Sequence, residues 1–271
     1  MTRQYCHIGS RTIAYLDSAP KQAALRTYVL LHAFPIGANL WEPQMRSVPA
    51  GWRLITPDLR GFGGSTELDT VSNLSMADYA EDVRDLMTEL GVQRAVIGGA
   101  SMGGYAAMAF LQSFGDRVDG LVLANTRAGA DSAEARANRR NMLTIVDREG
   151  PSGVSREMMP KLLGATTRET QPDIEAFVRR LIKQQSPTAI RAAIHRMMHR
   201  PDSTALLAAA TIPSLVVTGE EDELIPIDES RKMAAAITGA SLHIIPKAGH
   251  LANLEQPDVF NAALTTFLSK L

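Results

Sequence analysis

Residues 93–104 read Gln93-Arg94-Ala95-Val96-Ile97-Gly98-Gly99-Ala100-Ser101-Met102-Gly103-Gly104. The run ending in Ala95-Val96-Ile97 predicts a short buried strand, and Tyr105 to Phe114 predicts an apolar helix. Ser101 therefore stands at a strand-to-helix junction. A seryl oxygen held at such a turn projects beyond the strand ends, provided the residues two before and two after it are small. Gly99 and Gly103 meet that demand. The following helix N-terminus and its amides face any negative charge that develops on a bound carbonyl. Ser101 is the candidate nucleophile, although a glycine-rich turn with an N-cap serine reads similarly.

Working outward, apolar segments alternate with helical ones on both sides of this turn. A hairpin is expected around Gly9-Ser10, with arms Tyr5 to Ile8 and Arg11 to Asp17 at a sheet edge. Thr27 to Leu31, Arg53 to Thr56, Val118 to Leu123, Pro213 to Val217 and Leu242 to Ile245 read as further strands. With the strand before Ser101 these make eight. Ser75 starts a helix that Gly91 ends, a short helix is expected near Trp41 to Arg46, and two more near Asp228 to Ile237 and Pro257 to Leu268. This rhythm predicts right-handed crossovers and a mostly parallel sheet with helices on both faces, whose ligands bind beyond the strand carboxyl ends.

From Asn125 to Ser203 the strand signal disappears. Helices are expected near Ser132 to Glu149, Arg156 to Leu163, Asp173 to Gln185 and Pro187 to His199, with breaks at Gly150-Pro151, Gln171-Pro172 and Ser186-Pro187. The expected division is a core of residues 1–125 and 204–271 and an inserted helical lid of residues 126–203. The glycines of Gly61-Phe62-Gly63-Gly64 do not make a dinucleotide fingerprint, because the third required position is Thr66 and no helix follows at once.

The whole chain sets bounds on function. Its 271 residues carry a net charge of −1 and are 45% hydrophobic and 21% charged, which gives no general attraction for nucleic acid or anionic lipid. Cys6 is the only cysteine, so an internal disulfide and a thiolate metal site are both excluded. No signal-like start and no spanning apolar run are seen, and a soluble cytoplasmic protein, monomer or homodimer, is the expectation.

A serine hydroxyl is a weak nucleophile at neutral pH. It needs a base within hydrogen-bond reach and an acid that orients the base. Of six histidines, His250 follows the last strand on a loop at the carboxyl edge, whereas His243 lies inside a strand, His7 on the edge hairpin, and His195 with His199 on one lid helix face. His32 leaves a strand beside the site and reads as support for its loop. The acid is expected after the strand Leu215 to Val217, where Glu220, Glu221, Asp222 and Glu223 crowd one loop, and Asp222 is the choice among them. Asn125 holds the corresponding place after the preceding strand but supplies no charge. His195 and His199 stand four apart, yet Arg196 takes the place of the glutamate that a zinc-protease helix needs.

Taken together, Gly99-Ala100-Ser101-Met102-Gly103, the acid in Gly219-Glu220-Glu221-Asp222 followed by Pro226, and the Gly249-His250 pair resemble the α/β-hydrolase superfamily over nearly the whole chain, in the family order Ser, Asp, His. The resemblance implies a catalytic triad of Ser101, Asp222 and His250. It also implies an oxyanion hole from the backbone amides of Met102 and Phe34, the latter in His32-Ala33-Phe34-Pro35, where alanine stands in place of the usual glycine. Asp58 to Ser65 resembles a family segment that is structural. No metal or organic cofactor is implied.

The expected activity is hydrolysis of carboxylic esters of small to medium acyl chains through an acyl-enzyme. Lactone hydrolysis is the nearest alternative, because His32 to Pro35 with Trp41 and Gly249 to Glu255 resemble the 3-oxoadipate enol-lactonase branch. A lactonase acting on an anion would carry a cation in the lid pocket, with Arg127 and the lid arginines as candidates. Met142, Met158, Met159, Met197 and Met198 suit either an adaptable apolar pocket or ordinary packing. Carbon–carbon bond hydrolases, cofactor-free perhydrolases and ligand receptors share the framework. Haloalkane dehalogenases and epoxide hydrolases need an aspartate where this chain has Ser101.

Overall fold

The structure, a computed structural model, describes residues 2–20, 25–66 and 75–271. Among these, eight strands form one sheet: β1 (Gln4–Ile8), β2 (Arg11–Asp17), β3 (Arg26–Leu31), β4 (Trp52–Pro57), β5 (Ala95–Ala100), β6 (Val118–Ala124), β7 (Ser214–Gly219) and β8 (Ser241–Ile245). Their order is β1-β2-β4-β3-β5-β6-β7-β8. The ladders β4-β3-β5-β6-β7-β8 are parallel, and β2 runs antiparallel to both its neighbours. Every residue of β4, β5 and β7 is buried, as an apolar strand covered on both faces requires.

The order reverses at β3. The chain goes outward to β4 and then returns to lay β5 on the other side of β3, with Leu31 paired to Gly99. Such a switch leaves a crevice beyond the carboxyl ends of the two strands. The loop after β3 carries Phe34 and the turn after β5 carries Ser101, so both border that crevice. The helix Met102–Phe114 packs on β3, β5 and β6, while Ile227–Ala236 and Pro257–Leu268 both pack on β7 and β8.

Residues between β6 and β7 contain no strand. The helical stretch Ala133–Leu162 is broken at Gly150, whose φ of 60° and ψ of −155° are not helical. Its second half starts at Pro151 rather than near Arg156, because proline is well suited to the first helical position. Two short helices, Ala165–Thr170 and Thr204–Ala208, add to the expected set, since five or six residues show no periodicity in the sequence. The stretch Ala133–Leu162 packs on Pro172–Lys183 and Pro187–Met198, so the insertion has an apolar interior of its own. It is also tied down. Buried Arg196 pairs with Asp78 at 3.0 Å and lies over the Tyr79 ring, and Gln185 accepts the Gly63 N–H at 2.9 Å.

Buried Asp58 accepts the Ala38 and Gly64 N–H groups and pairs with Arg3, which binds three loop segments together. At Gly103, a Cβ would lie 2.1 Å from the Leu31 carbonyl oxygen, so the helix start touches the backbone of β3. Gly103→Ala is therefore expected to destabilise the fold by about 1–3 kcal/mol, the usual range for overpacking. Urea denaturation checks this, and an unchanged midpoint would mean that the contact opens freely.

Candidate active site

Ser101 has φ 52° and ψ −113°, a conformation in which a side chain other than glycine is strained. The turn is held by its surroundings. Ser101 N–H donates to the Ala124 carbonyl at 2.9 Å, its own carbonyl accepts the Gly104 N–H, and Thr126 donates its hydroxyl to that same carbonyl at 2.8 Å. A Cβ at Gly99 would sit 2.3 Å from the Gly103 carbonyl carbon, which accounts for the small residue two before the serine.

Buried Asp222 and His250 meet directly. His250 Nδ1 lies 3.0 and 2.9 Å from the two carboxylate oxygens. Asp222 Oδ1 also accepts the Leu224 and Ile225 N–H groups at 2.9 and 3.0 Å, and Oδ2 accepts the Asn125 amide at 2.9 Å. Burial alone would raise the Asp222 pKa. The His250 contact, the Asn125 amide and the Ile225 N–H outweigh it and hold the carboxyl below its ordinary value. With Nδ1 aimed at Asp222, the Nε2 edge of the imidazole is left for the cavity.

The other three acids of that loop do different work. Glu221 accepts the Thr166 N–H and hydroxyl, Glu223 lies 3.5 Å from Arg168, and Glu220 is exposed. His32 is fully buried; its Nε2 accepts the Leu59 N–H at 3.0 Å and Nδ1 lies 3.0 Å from the Ala33 carbonyl. Burial pushes its pKa down, so it stays neutral and joins two loops. His195 and His199 stack on one helix face. Among the described residues, no group of three or more histidines, cysteines or acids could hold a metal ion.

Ser101, His250 and Phe34 all line one cavity of about 480 Å³. Met102 is fully buried at the first turn of its helix, where backbone N–H groups lack intrahelical acceptors. Met142, Met158 and Met197 line the cavity, whereas Met159 and Met198 are packed in the core.

Sequence reasoning missed Glu255. This buried carboxylate accepts the N–H groups of Gly249 (2.9 Å) and Leu251 (3.0 Å), which flank His250, and of Gly164 (2.7 Å) in the insertion. Burial raises its pKa, against the pull of these donors. A Cβ at Gly249 would lie 2.2 Å from Gly164 N, so the His250 loop and the insertion meet backbone to backbone. The signal available in sequence was an acid five residues after His250, with nothing to name its partners. The position of Asn125 after β6 is legible in the sequence, but its donation to Asp222 and to the Gly249 carbonyl is not.

A second buried carboxylate gathers arginines. Asp131 Oδ1 accepts from Arg127 at 2.8 Å and Arg200 at 2.6 Å, and Oδ2 accepts from Arg139. Burial would raise its pKa, but Arg139 and Arg200 bring it down to about 2.

The chain belongs to the alpha/beta hydrolase fold family, whose model matches residues 28–257. Among solved structures, a thermophilic esterase from Thermogutta terrifontis, in a malate-bound form, is 36% identical. It aligns over 100% of this chain and 99% of that one with a TM-score of 0.92. The enol-lactonase from Burkholderia xenovorans shares the fold at a TM-score of 0.89 and 24% identity, covering 98% of this chain and 100% of that one. A 2-hydroxy-6-oxononadienedioate/2-hydroxy-6-oxononatrienedioate hydrolase from Klebsiella pneumoniae is 28% identical over 90% of this chain and 87% of its own length. None of the described helices is long and apolar enough to cross a membrane.

Two outcomes follow for the buried carboxylates. Glu255→Gln turns one acceptor oxygen into a donor facing an N–H, and is expected to cost about 1–3 kcal/mol of stability by urea denaturation. An unchanged midpoint would mean the three contacts carry no weight. Asp131, held near pKa about 2 against an ordinary 3.8, contributes stability above pH 4 that is lost as pH falls through its folded value. The gap between wild type and Asp131→Asn is thus expected to be about 2 kcal/mol at neutral pH and to narrow as pH falls from about 4 toward 2. A gap constant with pH would contradict this.

Proposed function

We propose that the protein is a serine hydrolase that cleaves carboxylic esters of small to medium acyl chains through an acyl-enzyme. The observation that carries this reading is that strained Ser101 and His250 open onto the same cavity while Asp222 holds the far nitrogen of the imidazole. Ser101 attacks the ester carbonyl as His250 removes its proton, and Asp222 stabilises the imidazolium that forms. The amides of Met102 and Phe34 receive the oxyanion, aided by the helix N-terminus. His250 then protonates the departing alcohol and activates the water that releases the acid. The insertion, residues 126–203, serves as the lid over a core of residues 1–125 and 204–271. A cavity of about 480 Å³ suits a ligand of this size.

Opening of a lactone would use the same residues and steps. Cleavage of a carbon–carbon bond in a dienedioate is the second reading, supported by the name of the Klebsiella pneumoniae relative.

A p-nitrophenyl ester series of increasing acyl length tests the proposal. Wild type is expected to turn over with an optimum at short to medium chains. Ser101→Ala should lower kcat by about 10⁴-fold or more and Asp222→Asn by about 10⁴-fold, without loss of the folded state by circular dichroism. Full activity in Ser101→Ala would refute the assignment. Turnover of a dienedioate in the absence of ester turnover would select the second reading.

A further inference from the structure

Tyr105 stands one turn along the helix that starts after Ser101, and its N–H donates to the Ser101 carbonyl at 3.3 Å. Side chains on a helix lean toward its N-terminus, so Tyr105 leans back over the turn that holds the nucleophile. Only 4% of the residue is exposed, and it lines the cavity together with Ser101 and His250. Its hydroxyl makes no hydrogen bond to any described residue. The unpartnered phenolic oxygens of Tyr28 and Tyr79 are shut inside the core, whereas that of Tyr105 opens into the cavity.

The ring is held and the proton of its hydroxyl has nowhere to go within the wall. Arg200 lies 4.0 Å over the ring and is itself fixed by Asp131 at 2.6 Å and by the Met197 and Gly129 carbonyls. Arg127, on the loop that leaves β6, borders the same cavity and interacts with the phenol. Guanidiniums donate and never accept. The buried carboxylate beside them, Asp131, already accepts from Arg127, Arg139 and Arg200. The other polar groups of the lining are answered elsewhere: His250 and Arg139 pair with carboxylates, and Asn138, Asn141, Glu157, Lys161 and Glu223 are exposed to water. A buried hydroxyl without an acceptor is costly unless water or a ligand answers it.

We propose that Tyr105 is a substrate-binding residue whose hydroxyl donates to an uncharged oxygen on the acyl chain, close to the reacting carbonyl. Esters of alkoxy, keto or hydroxy acids are then favoured over those of plain alkanoic acids. The proposal rests on the serine-hydrolase reading of the same cavity. In the tetrahedral intermediate the leaving oxygen faces His250 and the oxyanion faces the Met102 and Phe34 amides, which leaves the acyl carbon the side that Tyr105 shares with Arg127. A phenol brings one neutral donor and no counter-charge, which suits an ether, ketone or hydroxyl oxygen. Because Arg200 holds the ring, the donor is in place before the substrate arrives and little ordering is needed. The bond forms with substrate and transition state alike, so its loss raises KM more than it lowers kcat.

The test uses pairs of methyl esters in which one chain methylene is replaced by an ether oxygen: methoxyacetate against butyrate, 3-methoxypropanoate against pentanoate, and 4-methoxybutanoate against hexanoate. An ether oxygen also activates the carbonyl by induction. The quantity read is therefore the kcat/KM ratio of ether over alkyl ester, compared between wild type and Tyr105→Phe, so that intrinsic reactivity cancels. At one oxygen position the ratio is expected to fall about three- to tenfold in Tyr105→Phe, through KM, and at the others to move little. Phenylalanine keeps the ring under Arg200, and circular dichroism checks the fold. Ligand-observed NMR titration of the same pairs into Ser101→Ala gives the binding preference without turnover, and Tyr105→Phe on that background is expected to remove it.

The two readings fail differently. Turnover of both members of each pair, with ratios that Tyr105→Phe leaves unmoved, overturns the subsite and keeps the hydrolase. A Tyr105-dependent binding preference without any turnover supports the subsite and sinks the esterase reading. If Tyr105→Phe does not fold, the titration of Ser101→Ala decides: a severalfold preference for one ether ester supports the subsite, and equal binding of ether and alkyl esters overturns it.

Discussion

The contact on which the rest depends is the approach of the helix Met102–Phe114 to the end of β3, possible only because Gly103 has no side chain. It seats the turn after β5 against the loop after β3 at the point where the strand order reverses. From that one packing constraint follow the strained Ser101, the nearness of Phe34 and the crevice into which both open. The strain is sustained from several sides by Ala124, Thr126 and Gly104.

Buried carboxylates organise everything around this turn, each by a different set of donors. Asp58 closes the loops beneath it, Asp222 orients His250, Glu255 holds both backbone flanks of that histidine, and Asp131 gathers arginines at the cavity wall. A buried charge is tolerated only when its lone pairs are answered, and each of these is. Glu255 and Glu221 also answer groups in the insertion, at Gly164 and Thr166. The insertion and the His250 loop are therefore parts of one hydrogen-bonded unit.

Much of this was legible beforehand, and what was not has physical reasons. The strands announced themselves because buried parallel strands are near-continuous apolar runs. Ser101 and His250 could be read because a sharp turn and a loop after a strand leave local marks. Asp222 shares its loop with three other acids that local sequence hardly separates from it, and the structure shows those three committed elsewhere or exposed. Short helices such as Ala165–Thr170 and Ala252–Glu255 left no periodic trace. Asn125 reaching Asp222, Glu255 reaching Gly164 and Arg200 reaching Asp131 span 97, 91 and 69 positions, and nothing local encodes such contacts.

The account stands on Ser101 as the group that becomes acylated. Its most direct test is peptide mapping by mass spectrometry after exposure to an organophosphate ester such as paraoxon, which phosphorylates an activated serine. The expected result is a single adduct on the peptide containing Ser101, formed together with the loss of ester turnover and much more slowly in Asp222→Asn. No adduct on folded, active protein, or an adduct on another residue that tracks the loss of activity, would contradict it.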